Sequence, residues 1–320
     1  MNKILKLITK SKRVALIAHI SPDPDCMGSI TALSSILRRM GKQASVFVDT
    51  KTMSEYFSCF NLPENISAEL KPEEFDTIIA VDTSSIKQLG KYGQVFKNFS
   101  NTGIIDHHKI GDLTAKASFI DSSRSSCSEI IYDISKELGI TLETKEAEYI
   151  FAGIVGDTNC FQNDNVNSKT FDTASKICEL GADTGKIIFE VFKHTTNKDI
   201  AVKRLVYENM QTEEDIGYFV FTRKMQKEIG TDDLGNLVNE ILNNENNKIA
   251  FIIKQKEKNV YTVSLRCKYK YDVSKIANKF GGGGHKQASG IMFIGSPMKH
   301  LKQILTACKQ EIAEIDSNNE

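Results

Sequence analysis

The stretch VALIAHISPDPDCMGSITALSSILRRM, residues 14–40, decides the fold. Its opening, residues 14–20, reads as a buried strand, and Pro22 and Pro24 stiffen the loop that follows because proline fixes φ. From Met27 onward, Ile30, Leu33, Leu37 and Met40 form an apolar stripe at helical spacing. Working outward, residues 44–48, TIIAV (77–81) and TGIID (102–106) are further apolar runs that predict strands. Ser126 and Glu129 have capping-box spacing ahead of a helix over 127–138, and helical patterns cover 145–157 and 168–180. Strands alternating with helices predict a parallel α/β sheet. In such a sheet a ligand binds beyond the carboxyl ends of the strands.

Those ends carry an unusual set of side chains. His19, Asp23 and Asp25 follow the first strand, Asp82 follows TIIAV, Asp106-His107-His108 closes TGIID, and Asp157 ends YIFAGIVGD. A lone acid at a strand end is more often a helix cap or a turn former. Four such sites bounding core segments are costly to bury without a compensating partner. A pair of divalent cations would be that partner, and carboxylate plus imidazole ligands suit Mn²⁺ or a similar first-row ion. Two cations sharing a carboxylate would activate water for in-line attack on phosphorus. Asp157 lies at the end of a helix, where an acid opposes the helix dipole and a nearby cation would remove the conflict. Gly28 and Ser29 are expected to open the helix after the first loop, with its N-terminal amides favouring an anionic substrate. Cys26 and Cys160 read as small core-lining residues beside the acids.

Composition narrows the class. Lys plus Arg and Asp plus Glu number 41 each, so the formal net charge is zero, which argues against a protein that coats long duplex nucleic acid. The first thirteen residues, MNKILKLITKSKR, predict a short amphipathic helix rather than a signal peptide. No run approaches the roughly 18 apolar residues of a membrane span, so no membrane partner is expected. The seven cysteines show no C-x-x-C pair and read as reduced thiols in a cytoplasmic protein.

At 320 residues two domains are expected: residues 1–192, a helical connector over 193–212, and a smaller α/β domain over 213–320. The second domain reads as a strand (IGYFVFT), helical patterns at 223–229 and 234–243, and two strands (KIAFIIKQK, VYTVSLRCK) joined through a KEKN turn. A short helix, DVSKIANKF, then leads into Gly281–His285, a strand and a terminal helix whose last residues, DSNNE, are expected to fray. A glycine run alone is weak evidence and is commonly a turn. Flanked by His285 and Lys286, with Arg266 on a nearby strand, it makes a phosphate and nucleotide pocket plausible. His194 and His300 lie in polar contexts and suggest no role.

Taken in order, H-x-x-x-D-x-D, Asp82, Asp106-His107-His108 and Asp157-Thr158 resemble the four motifs of the DHH phosphoesterase family, and Gly282–His285 resembles the GGGH hallmark of the DHH-associated domain. The resemblance covers nearly the whole chain. It implies a parallel-sheet catalytic domain and a smaller second domain, with the active site in the cleft between them. It also implies two Mn²⁺ ions, replaceable by Mg²⁺ or Co²⁺. His19, Asp23 and Asp82 would hold one, and Asp25, Asp82, His107 and Asp157 the other. His108 would serve as a donor or leaving-group acid, Asp106 would orient it, and Arg266, Gly282, Gly283, Gly284 and His285 would grip the substrate.

The layout is most similar to compact family members that hydrolyse oligoribonucleotides of two to five nucleotides, including linear dinucleotides such as pApA, and adenosine 3′,5′-bisphosphate (pAp). A homodimer is compatible with this. RecJ-like single-strand exonucleases usually add a nucleic-acid-binding domain, and membrane-bound cyclic-dinucleotide phosphodiesterases add membrane and sensory segments. Manganese inorganic pyrophosphatases have a different second domain, and a non-catalytic nucleotide sensor need not keep every ligand. Two departures bear on substrate choice: Asn159 stands where the family has glycine, and Cys127 where it has threonine or serine.

Overall fold

A computed structural model describes residues 1–49, 66–108, 111–232 and 234–317. The chain falls into two units, Met1–His194 and Thr195–Glu320. In the first, the helix α1 (Asn2–Lys10) precedes β1 (Arg13–Ile17), α2 (Pro24–Arg39), β2 (Gln43–Phe47) and β3 (Ile66–Ser67). The chain continues through β4 (Thr77–Val81), α3 (Gly93–Asn98), β5 (Thr102–Asp106), β6 (Ala117–Ile120), α4 (Cys127–Glu137), α5 (Thr144–Asp157), α6 (Ser168–Glu179) and α7 (Thr184–Ile188). The six strands lie in the order β3-β2-β1-β4-β5-β6, and every pairing is parallel.

The chain runs outward from β1 to β3, then returns to the other side of β1 to lay down β4, β5 and β6. The strand order therefore reverses between β1 and β4, and a crevice opens there at the carboxyl edge. Both faces of the sheet are covered, which is why the strands are continuously apolar. Val14, Leu16, Ile79, Val81 and Ile105 pack under α1, α2, α4 and α5. Ala15, Ile17, Ile78, Ala80 and Ile104 pack against Leu89, Tyr92 and Phe96 on the other face. The short strands β3 and β6 were not anticipated. β6 is a half-exposed edge, with Ile120 45% accessible, and lacks a clean apolar pattern.

The helix α2 begins at Pro24, three residues before the expected start, because Asp23 caps it by accepting from the Cys26 N–H at 2.9 Å. Gly28 and Ser29 do not open this helix, so the expectation of free amides there is corrected. Both are buried inside α2, and a Cβ on Gly28 would lie 2.3 Å from the Tyr149 carbonyl oxygen of α5. Glycine at 28 permits the close approach of α2 and α5. At α4, Ser126 caps the Glu129 N–H as the spacing predicts, while the Glu129 carboxylate turns to the amide and hydroxyl of Ser125, each at 2.6 Å.

In the second unit, α8 (Asn197–Asn209) precedes β7 (Gln211–Glu213), β8 (Ile216–Phe221), α9 (Arg223–Ile229), α10 (Leu237–Leu242), β9 (Ile249–Glu257) and β10 (Val260–Cys267). Then come α11 (Val273–Lys279), β11 (Gly283–His285), β12 (Ala288–Ile294) and α12 (Pro297–Ser317). The sheet order is β11-β12-β10-β9-β8-β7, with β8 and β9 parallel and the other pairs antiparallel. One face packs on α11 and α12. On the other, Phe219, Phe221, Ala250 and Ile252 of β8 and β9 pack with residues of α8 and α10. The same face of β10 and β12 presents exposed Ser264, Gly290, Met292 and Ile294.

The tail expected to fray is held as far as Ser317. Asp316 pairs with Lys248 at 2.9 Å and Lys270 at 2.6 Å and accepts from the Tyr271 hydroxyl. Residues 318–320 lie outside the described part. His300 stacks on Phe293, with centroids 3.9 Å apart, and serves packing.

Gly28→Ala is expected to force α2 and α5 apart and lower stability by about 1–3 kcal/mol. Urea unfolding checks this, and an unchanged midpoint would refute the close-packing role.

Candidate active site

The carboxyl ends of β1, β4 and β5 are adjacent, and they bring together the side chains that the sequence scatters over 139 positions, from His19 to Asp157. His19 Nε2 is 3.6 Å from Asp82 Oδ2 and 4.0 Å from Asp23 Oδ1. His107 Nε2 faces three acids: Asp157 Oδ2 at 3.3 Å, Asp82 Oδ1 at 3.6 Å and Asp25 Oδ2 at 3.8 Å. His108 Nδ1 bonds Asp106 Oδ1 at 2.7 Å and lies 3.9 Å from Asp82 Oδ1. Asp82 is thus within 4 Å of all three histidines.

Each position has a local cause. Asp82 leaves β4 with φ of 60°, in the left-handed region, while its N–H still donates to the Ile105 carbonyl at 2.8 Å. Such backbone costs a non-glycine residue roughly 1–2 kcal/mol and turns the carboxylate back over the strand ends. Asp25 accepts from the Cys127 and Ser128 amides at 2.6 and 2.9 Å, so the N-terminus of α4 holds it. Gly153 on α5 is required by that arrangement, since a Cβ there would meet Asp25 Oδ1 at 2.6 Å. Asp106 Oδ1 also accepts from the His107 and His108 amides at 2.8 and 3.2 Å. At the end of α5 the Asp157 carbonyl accepts from the Asn163 and Asn165 side chains at 3.0 and 3.4 Å, leaving the carboxylate free to face His107. Asn159, Cys160 and Phe161 follow with φ of 49°, 56° and 65°. Asparagine is among the residues that best tolerate the left-handed conformation, so Asn159 suits the first position of this run.

Burial with like charge dominates the electrostatics. Burial, then Asp25, Asp23 and Asp157, pushes Asp82 well above the usual carboxylate range. Burial, then Asp25 and Asp23, does the same to Asp157. Burial also raises Asp25, opposed by His107. Burial would raise Asp106 too, but the bond from and the charge of His108 outweigh it and hold Asp106 low, while the same bond raises His108. For His19, burial disfavours the charged ring, yet Cys26, Asp23 and the Ile20 carbonyl prevail and raise it to about 10. Burial pushes the Cys26 thiol up to about 11.

Among the described residues, three groups have the spacing to hold a cation: His19 with Cys26 and Asp82, Asp82 with His107 and His108, and Asp25 with His107 and Asp157. Asp23, its Oδ1 engaged as a helix cap, is in none of the three. Cys26 joins the first, and no spacing in the sequence signalled it. Asp82 Oδ1, Asp106 Oδ2 and His107 Nε2 are buried with no hydrogen-bond partner among the described residues. Every described cysteine is a free thiol.

In the second unit the sheet register aligns Arg266 with Ala288 and Ala288 with His285, one rung across β10, β12 and β11. Arg266 and His285 therefore project from one face. Two glycines of the run serve the sheet itself: a Cβ on Gly282 would lie 2.2 Å from the Gly290 oxygen, and one on Gly284, whose φ is 140°, 2.6 Å from the Ala288 oxygen. A Cβ on Gly283 would meet nothing nearer than Asn278 Oδ1 at 3.9 Å, so its bareness leaves open space above the rung.

Residues 13–154 match the family model described as the DHH family, N-terminal domain, and residues 217–314 match the DHHA1 domain. The chain is similar to the bifunctional oligoribonuclease and PAP phosphatase NrnA of Mycoplasma pneumoniae, with 29% identity covering 94% of this chain and 93% of that protein. It is 28% identical to the Bacillus subtilis protein of the same name, over 96% and 98% of the two chains. Among solved structures, an exopolyphosphatase-related protein from Bacteroides fragilis superposes with a TM-score of 0.85 at 20% identity, over 98% of this chain and 95% of that one. Among the described residues, no helix is long and apolar enough to cross a membrane.

Because Asp82 and Asp157 hold protons more tightly folded than unfolded, metal-free protein is expected to lose stability as pH rises above the usual carboxylate range. Asp82→Asn, which also tolerates positive φ, should raise the metal-free stability by about 1 kcal/mol and the Tm by roughly 2–4 °C. It should also remove the Tm gain that added Mn²⁺ gives the parent. Thermal melts from pH 5 to 8, with and without Mn²⁺, check this, and a variant less stable than the parent without metal would refute it.

Proposed function

This chain belongs to the DHH family as a phosphoesterase with a DHHA1 domain, and we propose that it is a Mn²⁺-dependent hydrolase of two- to five-nucleotide RNA and of pAp. The observation that carries the metal part is the set of orphaned buried atoms, Asp82 Oδ1 and His107 Nε2 above all. They face each other at 3.6 Å, too far for a hydrogen bond and close to the ~3.0 Å edge of an octahedral shell with ~2.1 Å bonds. Oxygen and imidazole donors fit a first-row divalent ion. His19, Asp82 and the Asp23 oxygen not used to cap α2 would hold one ion, and Asp25, Asp82, His107 and Asp157 the second. When bound, the ions neutralise phosphate charge and make water acidic enough to attack phosphorus.

The remaining work falls to the chain's own groups. His108 gives Nδ1 to Asp106, which leaves Nε2 to donate a proton to the departing oxygen, and the bond to Asp106 keeps the ring protonated to higher pH. Arg266 and His285, on one rung, would grip the phosphate away from the cut, with Gly283 leaving room for the nucleotide. The names of the Mycoplasma and Bacillus relatives, matched over nearly their whole length, support this substrate class.

With Mn²⁺ present, pAp, pApA and a five-nucleotide RNA should be turned over, and single-stranded DNA and pyrophosphate much less. Asp82→Ala should abolish turnover. Hydrolysis of pyrophosphate alone would sink the nucleotide reading. Arg266→Ala should raise KM by tenfold or more, as expected for loss of a charge-assisted bond, while metal content stays constant. Loss of bound Mn²⁺ in that variant would count against the role given to Arg266.

A further inference from the structure

At the opposite edge of the first sheet, where β1, β4, β5 and β6 begin, a cavity of about 400 Å³ is lined by five lysines. Lys3, Lys6 and Lys10 come from α1, Lys12 from the turn before β1, and Lys116 from the residue before β6. The exposed face of α1 supplies the charge, while Ile4, Leu7 and Ile8 anchor its other face in the core. Among the described residues the one acid in the lining, Asp76, is committed to the amides of Lys12 and Arg13, at 3.0 and 2.9 Å, and to the Thr77 hydroxyl. Lys116 donates to Asn101 at 3.1 Å. Among the described residues, Lys3, Lys6, Lys10 and Lys12 have no acidic partner within ion-pair distance. Lys42 occupies the Thr9 and Ser11 carbonyls at the end of α1, so the negative end of that helix is already satisfied.

Five lysines facing one committed aspartate make this a concentrated positive site in a chain of zero net charge. We propose that the cavity is a second anion site, which takes a short polyphosphate such as that of a nucleoside di- or triphosphate. The cavity has the volume of a small-ligand pocket, and Leu7 and Ala117 give it an apolar portion. Lysines arriving from three segments converge on a compact multivalent anion, whereas an extended RNA backbone would need a stripe of cations. The strands hold the site roughly 20 Å from the acids and histidines, at about 3.3 Å per residue from Lys12 to His19. A substrate phosphate in the catalytic cluster cannot also occupy it.

The test is isothermal titration of the full-length, metal-loaded protein with tripolyphosphate supplied as its magnesium salt. Parallel arms use ATP, AMP and a five-nucleotide RNA. One tripolyphosphate per chain should bind, and AMP much more weakly. The double variant Lys6→Glu, Lys10→Glu should weaken tripolyphosphate at least tenfold, with Lys116→Gln as a milder second variant and circular dichroism reporting the fold. Asp82→Asn and the charge-matched Lys224→Glu, Lys227→Glu should each change the affinity less than twofold. ATP matching tripolyphosphate would assign the site to the polyphosphate chain, and ATP binding tenfold tighter would assign it to a nucleotide. Either result supports the proposal. Loss of binding in Asp82→Asn, equal weakening in the Lys224, Lys227 control, or selective loss of RNA binding in the Lys6, Lys10 variant would overturn it.

Discussion

Mutual repulsion among Asp25, Asp82 and Asp157, buried at the reversal point of one sheet, is the constraint around which the first unit is arranged. Two like charges 4 Å apart repel by about 4 kcal/mol even at an effective dielectric of 20. A domain whose whole stability is about 5–15 kcal/mol cannot leave several such terms uncompensated. The fold compensates some of them with fixed dipoles. The α4 N-terminus serves Asp25, and two amides and an imidazole serve Asp106. Asp82 and Asp157 receive no equivalent among the described residues, and burial first, then the like charge of Asp25 and Asp23, holds both well above the usual carboxylate range.

Holding unpaired charge in place needs a rigid frame, and the frame is dense. Parallel strands covered on both faces fix where β1, β4 and β5 end. Gly28 and Gly153 let α2 and α5 close on each other and on α4, so Asp25 is held from two helices at once. The positive φ of Asp82 is strain stored where it turns a carboxylate toward three histidines. The left-handed run at 159–161 does comparable work beyond Asp157, with Phe161 packed between Phe151 and Phe171.

The second unit applies a different device. Instead of concentrating charge, it sets Arg266 and His285 on one rung and keeps the outer face of β10 and β12 open. Its glycine run is mainly a sheet-pairing element: Gly282 and Gly284 fit against the β12 backbone, Gly281 turns the chain with a φ of 70°, and Gly283 is left spare on the strand. Among the described residues, the groups spaced to hold a cation lie in the first unit alone, and this cationic rung lies in the second.

Much of this was legible in the sequence. Apolar runs of five residues followed by acids and histidines marked the parallel strands and the edge where those acids and histidines gather, because period, burial and charge are local properties. The acids' identities and their order were enough to indicate the family. The sequence did not reveal that Asp23 spends an oxygen on capping α2, that Cys26 enters the first ligand group, or that Gly28 serves helix packing. Nor did it show that lysines from α1, the next turn and the β6 approach line one cavity. Those facts depend on distances between segments far apart in the chain, which only the closed sheet and its packed helices determine.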